Sequence, residues 1–188
     1  MKKVNAICTA AALLGGLFAV GQAQAADAPG IYLLAAGGAS HYNTDCAGTI
    51  KCDNNGNAFK FVGGYRLGNS IAIEAVSYNF GKAQYTIPGA NLELKGTAYG
   101  GGVAVYGELS PGWVATARLG VASVKMKGTV PGVGSTSDTT TSAYVGLAIA
   151  YQFTPTVSAE LGYDSTKGKV AGESGNLSAF TVGVGIKF

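Results

Sequence analysis

The last stretch of the chain alternates without a break, with Phe180, Val182, Val184, Ile186 and Phe188 on one side and Ala179, Thr181, Gly183, Gly185 and Lys187 on the other. A period of two marks a β-strand. Here the two sides also differ in kind, one bulky and apolar, the other small or polar. The same division separates Val145, Leu147, Ile149, Tyr151 and Phe153 from Tyr144, Gly146, Ala148, Ala150 and Gln152. It separates Trp113, Ala115, Ala117, Leu119 and Val121 from Val114, Thr116, Arg118, Gly120 and Ala122. A soluble sandwich would bury its bulky face and turn its charges to water. A barrel in lipid does the reverse, with large apolar residues outward and small or polar ones in a narrow lumen. Closure also leaves no strand edge, which hydrocarbon cannot solvate.

Counting such runs gives eight strands: Ile31–Ser40, Ala58–Leu67, Ile71–Phe80, Thr97–Leu109, Trp113–Lys125, Ala143–Phe153, Val157–Ser165 and Leu177–Phe188. Most match the roughly 9 to 11 residues of a tilted membrane-spanning strand. The predicted fold is therefore all-β, an eight-stranded antiparallel up-and-down transmembrane barrel. Three connections are tight triplets, Gly68-Asn69-Ser70, Ser110-Pro111-Gly112 and Thr154-Pro155-Thr156. The others, about residues 41–57, 81–96, 126–142 and 166–176, read as long polar loops. Short turns normally face the periplasm and long loops the exterior, which puts both termini on the periplasmic side. Tyr65, Trp113, Tyr151, Phe153 and Phe188 would form the periplasmic aromatic girdle, and Tyr78, Phe80 and Tyr163 the outer one.

The N-terminus has the three parts of a secretory signal: basic Lys2 and Lys3, an apolar run from Ala6 to Val20, and small residues at Ala23-Gln24-Ala25. The expected organisation is a signal peptide over residues 1–25 and one barrel domain over residues 26–188. Cys8 does not suit a lipid anchor, because the apolar run continues beyond it to Val20. Removing the signal lowers the basic count from 13 to 11 against 10 acidic residues. That balance gives no electrostatic reason for a nucleic-acid partner.

The chain resembles the small outer-membrane β-barrel family of the OmpA transmembrane-domain and OmpX type. The resemblance rests on Phe61-Val62-Gly63-Gly64-Tyr65-Arg66 before a tight turn, Ile73-Glu74 in the next strand, Ala117-Arg118-Leu119-Gly120-Val121, and the strand ending in Phe188. It implies an integral protein of the Gram-negative outer membrane, surrounded by outer-membrane lipids and lipopolysaccharide. It also implies that Val182, Val184, Ile186 and Phe188 form the signal read by the barrel-assembly machinery.

Glu74, Glu108, Arg118 and Glu160 fall on the small and polar side of their strands, with Arg66 and Lys187 beside them. They are expected to form an ion network in the periplasmic half of the lumen, because charges facing lipid are expensive. Eight strands leave a bore just wide enough for side chains, which argues against general diffusion. Once the signal is removed, Cys46 and Cys52 are left in the first long loop, and an oxidising compartment favours a disulfide between them. A metal site built from these cysteines with His41, Asp45 and Asp53 is the rival reading, but nothing in the sequence fixes its geometry. No metal or other cofactor is expected.

His41 is the only histidine and the one ready general base. Three function classes follow. The first is a non-enzymatic structural or surface-interaction barrel, for adhesion or defence, whose loops meet a host or cell-surface ligand. The second is a lipid A-modifying acyl enzyme using His41 at the outer rim, and the third a narrow pore for small solutes. The first is preferred, because no acid-histidine-serine set is evident and the Gly-, Ser- and Thr-rich segment from Gly128 to Ser142 suits an exposed loop.

Overall fold

The computed structural model describes residues 29–43, 50–68, 70–87, 90–170 and 173–188. Eight long strands form the wall: β1 (Gly30–Asn43), β3 (Asn55–Gly68), β4 (Ile71–Ile87), β5 (Ala90–Ser110), β6 (Trp113–Val130), β7 (Gly134–Gln152), β8 (Val157–Val170) and β9 (Glu173–Lys187). A three-residue strand, β2 (Lys51–Asp53), lies in the first long connection and pairs with the outer part of β4. Each long strand pairs antiparallel with its chain neighbour, and β1 pairs with β9 from Tyr32↔Lys187 to Asn43↔Asn176. That seam closes the ring, so the molecule is an eight-stranded antiparallel barrel. Residues 1–28, which include the expected signal peptide, lie outside the described residues.

Around the middle of the wall the outward side carries Leu33, Phe61, Ile73, Val103, Leu119, Leu147, Leu161 and Val182, all exposed. In water such a belt would be an aggregation surface. Against hydrocarbon it is the solvated face. Toward the long-loop end the arrangement inverts. Ala83, Tyr85, Leu94, Met126 and Leu177 are buried inside the ring, whereas Lys95, Lys125, Lys127 and Ser137 point out and are exposed. The strands thus leave the membrane and continue as a water-bathed barrel with its own apolar core.

This continuation corrects two expectations. Much of segments 81–96, 126–142 and 166–176, read as loops, is strand, with β5 reaching 21 residues and β7 reaching 19. The sequence pattern hid this because the apolar side changes from outside to inside at the membrane edge. Tyr78 and Phe80, assigned to the outer girdle, are buried in the lumen instead, their rings stacked at 5.6 Å. Lipid-facing aromatics at the outer edge are Phe59, Tyr99, Tyr163 and Phe180. At the short-turn end Trp113, Tyr151 and Phe153 pack on one another with centroids 5.1 and 5.2 Å apart.

A bulge at Gly81 changes which positions of β4 face inward. Its φ is 66°, in the left-handed region that suits glycine, and the pairing with β5 slips between Asn79 and Lys82. Before it the even positions Glu74, Val76, Tyr78 and Phe80 face inward; after it the odd positions Ala83 and Tyr85 do.

The wall also contains a row, Glu74–Gly102–Gly120–Tyr144, in which two glycines lie between two large side chains. A Cβ on Gly102 would run into the Leu119 carbonyl and the Tyr144 hydroxyl, so the Tyr144 ring uses the space that the glycines leave. At Gly37 an added Cβ would meet only ordinary contacts with Phe59 at 3.7 Å. Urea unfolding of the refolded barrel in lipid vesicles should therefore show Gly102→Val destabilised by at least the roughly 1 to 3 kcal/mol typical of overpacking. Gly37→Ala should unfold at the wild-type midpoint or slightly above it, since glycine in a strand is entropically costly.

Candidate functional site: the buried ion network

Every wall strand faces lipid on one side over its apolar belt, so a charge placed there must turn inward. Four strands contribute one or more. Arg118, on β6, is 4% exposed and uses its whole fork. Its Nε donates to Glu74 on β4 at 3.0 and 3.1 Å, while Nη1 and Nη2 donate to the two oxygens of Glu160 on β8 at 3.0 and 2.8 Å. The bidentate geometry with Glu160 is the strong form of this contact.

Two further charges extend the network. Lys60, on β3, is fully buried and donates to Asp164 Oδ2 at 2.8 Å and to Glu160 Oε1 at 3.4 Å. The other Asp164 oxygen accepts the Tyr78 hydroxyl at 3.0 Å, and the Tyr32 hydroxyl donates to Glu74. The chain of contacts runs Tyr32, Glu74, Arg118, Glu160, Lys60, Asp164, Tyr78. Small residues make room for it: a Cβ on Gly146 would strike the Asp164 carboxylate, and one on Gly162 would sit 3.1 Å from Lys60 Nζ.

Lys60 and Asp164 were not among the expected network residues. The signal was present: Phe59 and Phe61 face lipid, so Lys60 between them faces in, and Tyr163 fixes Asp164 in the same way. Glu108 was expected in the network but is exposed near the short-turn mouth, and Arg118 reaches Glu74 and Glu160 instead. Glu108 lies two residues before Ser110, where the wall turns to Trp113, and this puts it in reach of water. Arg66 stacks its guanidinium over Tyr106 at 4.5 Å and over Tyr32 at 5.5 Å. With Lys187 it lines a cavity of about 50 Å³ below the network, room for a few water molecules.

Above the ion layer the lumen is filled by Tyr42, Phe80, Tyr85, Val124, Met126 and Leu177. The lumen therefore has two plugs, one ionic and one apolar. Val182, Val184, Ile186 and Phe188 all point outward and are exposed. His41 also points outward, with Nδ1 3.1 Å from Asn55 Oδ1. Its neighbour Ser40 points the other way, buried, and donates to the Phe80 carbonyl. Cys46 lies outside the described residues; Cys52 is half-buried on β2 opposite Tyr85. Among the described residues no cluster of three or more metal-ligating side chains occurs.

A closed, lipid-belted ring with a charged and plugged interior defines an integral β-barrel of the outer membrane. The description of the outer membrane protein beta-barrel domain matches residues 10–188, and the chain belongs to that family. Among solved structures, Neisserial surface protein A superposes with a TM-score of 0.63 at 15% identity, covering 86% of this chain and 99% of that one. Ail, the attachment invasion locus protein of Yersinia pestis, gives 0.57 at 17%, covering 85% and 99%. The outer membrane protein OprG from Pseudomonas aeruginosa gives 0.53 at 13%, covering 85% and 96%. At these identities the likeness is one of fold. No curated protein sequence matches.

Replacing Arg118 by Met would leave Glu74 and Glu160, both buried, without the guanidinium that satisfies them. Breaking a buried ion pair in this way costs about 3 to 5 kcal/mol, which a fall in the urea midpoint should report. Adding Glu160→Gln to Arg118→Met should restore part of the loss, because it removes one of the stranded charges.

Proposed function

We propose that this barrel is non-enzymatic and acts through its extracellular surface, in adhesion or defence, by contact with lipopolysaccharide, a host ligand or a neighbouring cell. The observation that carries this reading is the contrast between a lumen filled at two levels and a wall that continues well beyond the apolar belt. Strands of 19 and 21 residues are about twice what crossing a membrane requires. The surplus is an ordered platform for surface contact. The structure of Ail with the heparin analogue sucrose octasulfate offers a parallel in which a barrel of this fold meets a charged sugar.

The same reading includes export by the signal peptide over residues 1–25, recognition of the strand ending in Phe188 by the assembly machinery, and a Cys46–Cys52 disulfide in the first loop. Against acyl chemistry at the rim stands the position of His41. Acyl transfer or hydrolysis needs a nucleophile and base about 3 Å apart with an orienting group behind them. Ser40 and His41 lie on opposite faces of β1, and the Asp164 carboxylate is engaged with Lys60 and Tyr78 in the lumen.

Wild type and His41→Ala, reconstituted in bilayers containing lipid A, should leave the same acyl composition by mass spectrometry. Loss or gain of an acyl chain with wild type alone would establish the enzyme reading instead. In planar bilayers the wild type should show no steady conductance, and Lys60→Met with Asp164→Asn, which keeps the space filled, should be equally silent. Steady current through wild type would favour the pore.

A further inference from the structure

On the outer surface, immediately beyond the apolar belt, three lysines face one another across three strands. Lys82 on β4 is directly opposite Lys95 on β5, and Lys95 is directly opposite Lys127 on β6. Lys125 lies two positions back along β6, opposite Thr97. All four side chains point outward and are exposed. Like charges directly opposite in a sheet are destabilising. A single carboxylate, Glu93, relieves the row through an ion pair with Lys82 at 2.9 Å; among the described residues, Lys95, Lys125 and Lys127 make no ion pair.

The height of the row is fixed by the register. Tyr99, an outermost lipid-facing aromatic, pairs with Ser77 and Ser123. Lys125 is two residues and Lys127 and Lys95 four residues further out, which is about 7 and 13 Å along the strands. The lysines therefore stand at the level of the outer leaflet's headgroups. There a bilayer supplies the anions that the protein lacks.

A second observation adjoins the first. The β3–β4 ladder stops at Phe59↔Asn79, and the next residues of β4 to be paired on that side are Gln84 to Thr86, with β2. Between these ladders the wall has a notch of about 490 Å³, lined among others by Asn57, Phe59, Asn79, Gln84, Lys82 and Lys95. Carboxamides beside an aromatic floor and two ammonium groups suit a sugar ring with an anionic substituent. Asp53 also borders the notch, where its carboxylate accepts the Asn55 backbone N–H at 3.2 Å. Its remaining lone pairs suit sugar hydroxyls, which donate.

We infer that the lysine row and the adjoining notch form a binding site for the phosphorylated sugar headgroup of a glycolipid of the outer leaflet. Phosphate oxygens accept from Lys95, Lys125 and Lys127, and the sugar enters the notch against Asn57 and Gln84. This rests on the surface-interaction reading and gives it a partner.

The test uses the full mature barrel refolded into phosphatidylcholine nanodiscs, with bound lipid counted by native mass spectrometry. Three probes are compared: lipid A carrying both phosphates, the same lipid A after their removal, and phosphatidylglycerol. Phosphorylated lipid A should bind most tightly. The variant Lys95→Gln, Lys125→Gln, Lys127→Gln should weaken that binding about a hundredfold, given the contribution of each lysine near an anionic surface. Lys167→Gln with Lys169→Gln, which removes two exposed lysines from β8, should leave it unchanged. Asn57→Ala with Gln84→Ala should weaken lipid A binding and leave phosphatidylglycerol unaffected. The triple variant should also unfold at the wild-type urea midpoint or above it, since it relieves repulsion.

Equal binding of all three probes would overturn the inference, as would equal loss from the β8 pair, retention by the triple variant, or a fall in the triple variant's urea midpoint. An altered acyl composition would instead defeat the non-enzymatic reading, and this binding measurement does not report it.

Discussion

Hydrocarbon offers no hydrogen-bond partners, so a chain that crosses it as strands must pair every backbone group with another strand. Here that requirement is met by the continuous ladder from β1 through β3 to β9 and back to β1. Once the ring is closed, side-chain placement is constrained position by position. Residues on one side of each strand meet lipid and must be apolar; those on the other side meet a bore just wide enough to be filled. The charged residues of the apolar belt have a single acceptable direction, inward, and there they must satisfy one another.

The interior meets that demand by layering. Nearer the short turns, Arg118 and Lys60 are shared among Glu74, Glu160 and Asp164, and Glu74 and Asp164 also accept the hydroxyls of Tyr32 and Tyr78. Nearer the long loops the filling is aromatic and aliphatic, because that part of the barrel stands in water and needs an ordinary core. Tyr78 belongs to both layers, its hydroxyl on Asp164 and its ring on Phe80. Gly81 lets one strand serve both solvents, because the shift of parity keeps Ala83 and Tyr85 inside above the bulge and turns Lys82 and Gln84 outward.

The membrane-embedded half was legible in the sequence because a single rule governs it. Alternation in β6, β7 and β9 gives strand, face and environment together. The same rule, applied to Phe59-Lys60-Phe61 and Tyr163-Asp164, points both charges inward. The outer half was hidden for a different reason. Ser135 to Ser142 carries no apolar rhythm, and its strand character comes from pairing with β6. Tyr78 and Phe80 were misplaced because an aromatic near a strand end fits a girdle and a lumen equally well until the parity of Glu74 is used to decide. The notch between β3 and β4 had no sequence signal, since it arises from where two ladders stop.

The ion network also bears on how the ring comes to be closed. Lys60 and Asp164 lie 104 residues apart, on β3 and β8, and the strands between them around the wall are β1 and β9, the first and the last. Their contact therefore spans the seam from inside and cannot form until the two ends of the chain have met. Contacts of such long sequence separation form slowly. Once made, this one ties the strands on either side of the seam to each other, so that opening there requires parting two buried charges as well as a ladder. The final pairing of the barrel is then guarded in the reverse direction by an interaction that contributes nothing to the approach, which makes closure slow and reopening slower still.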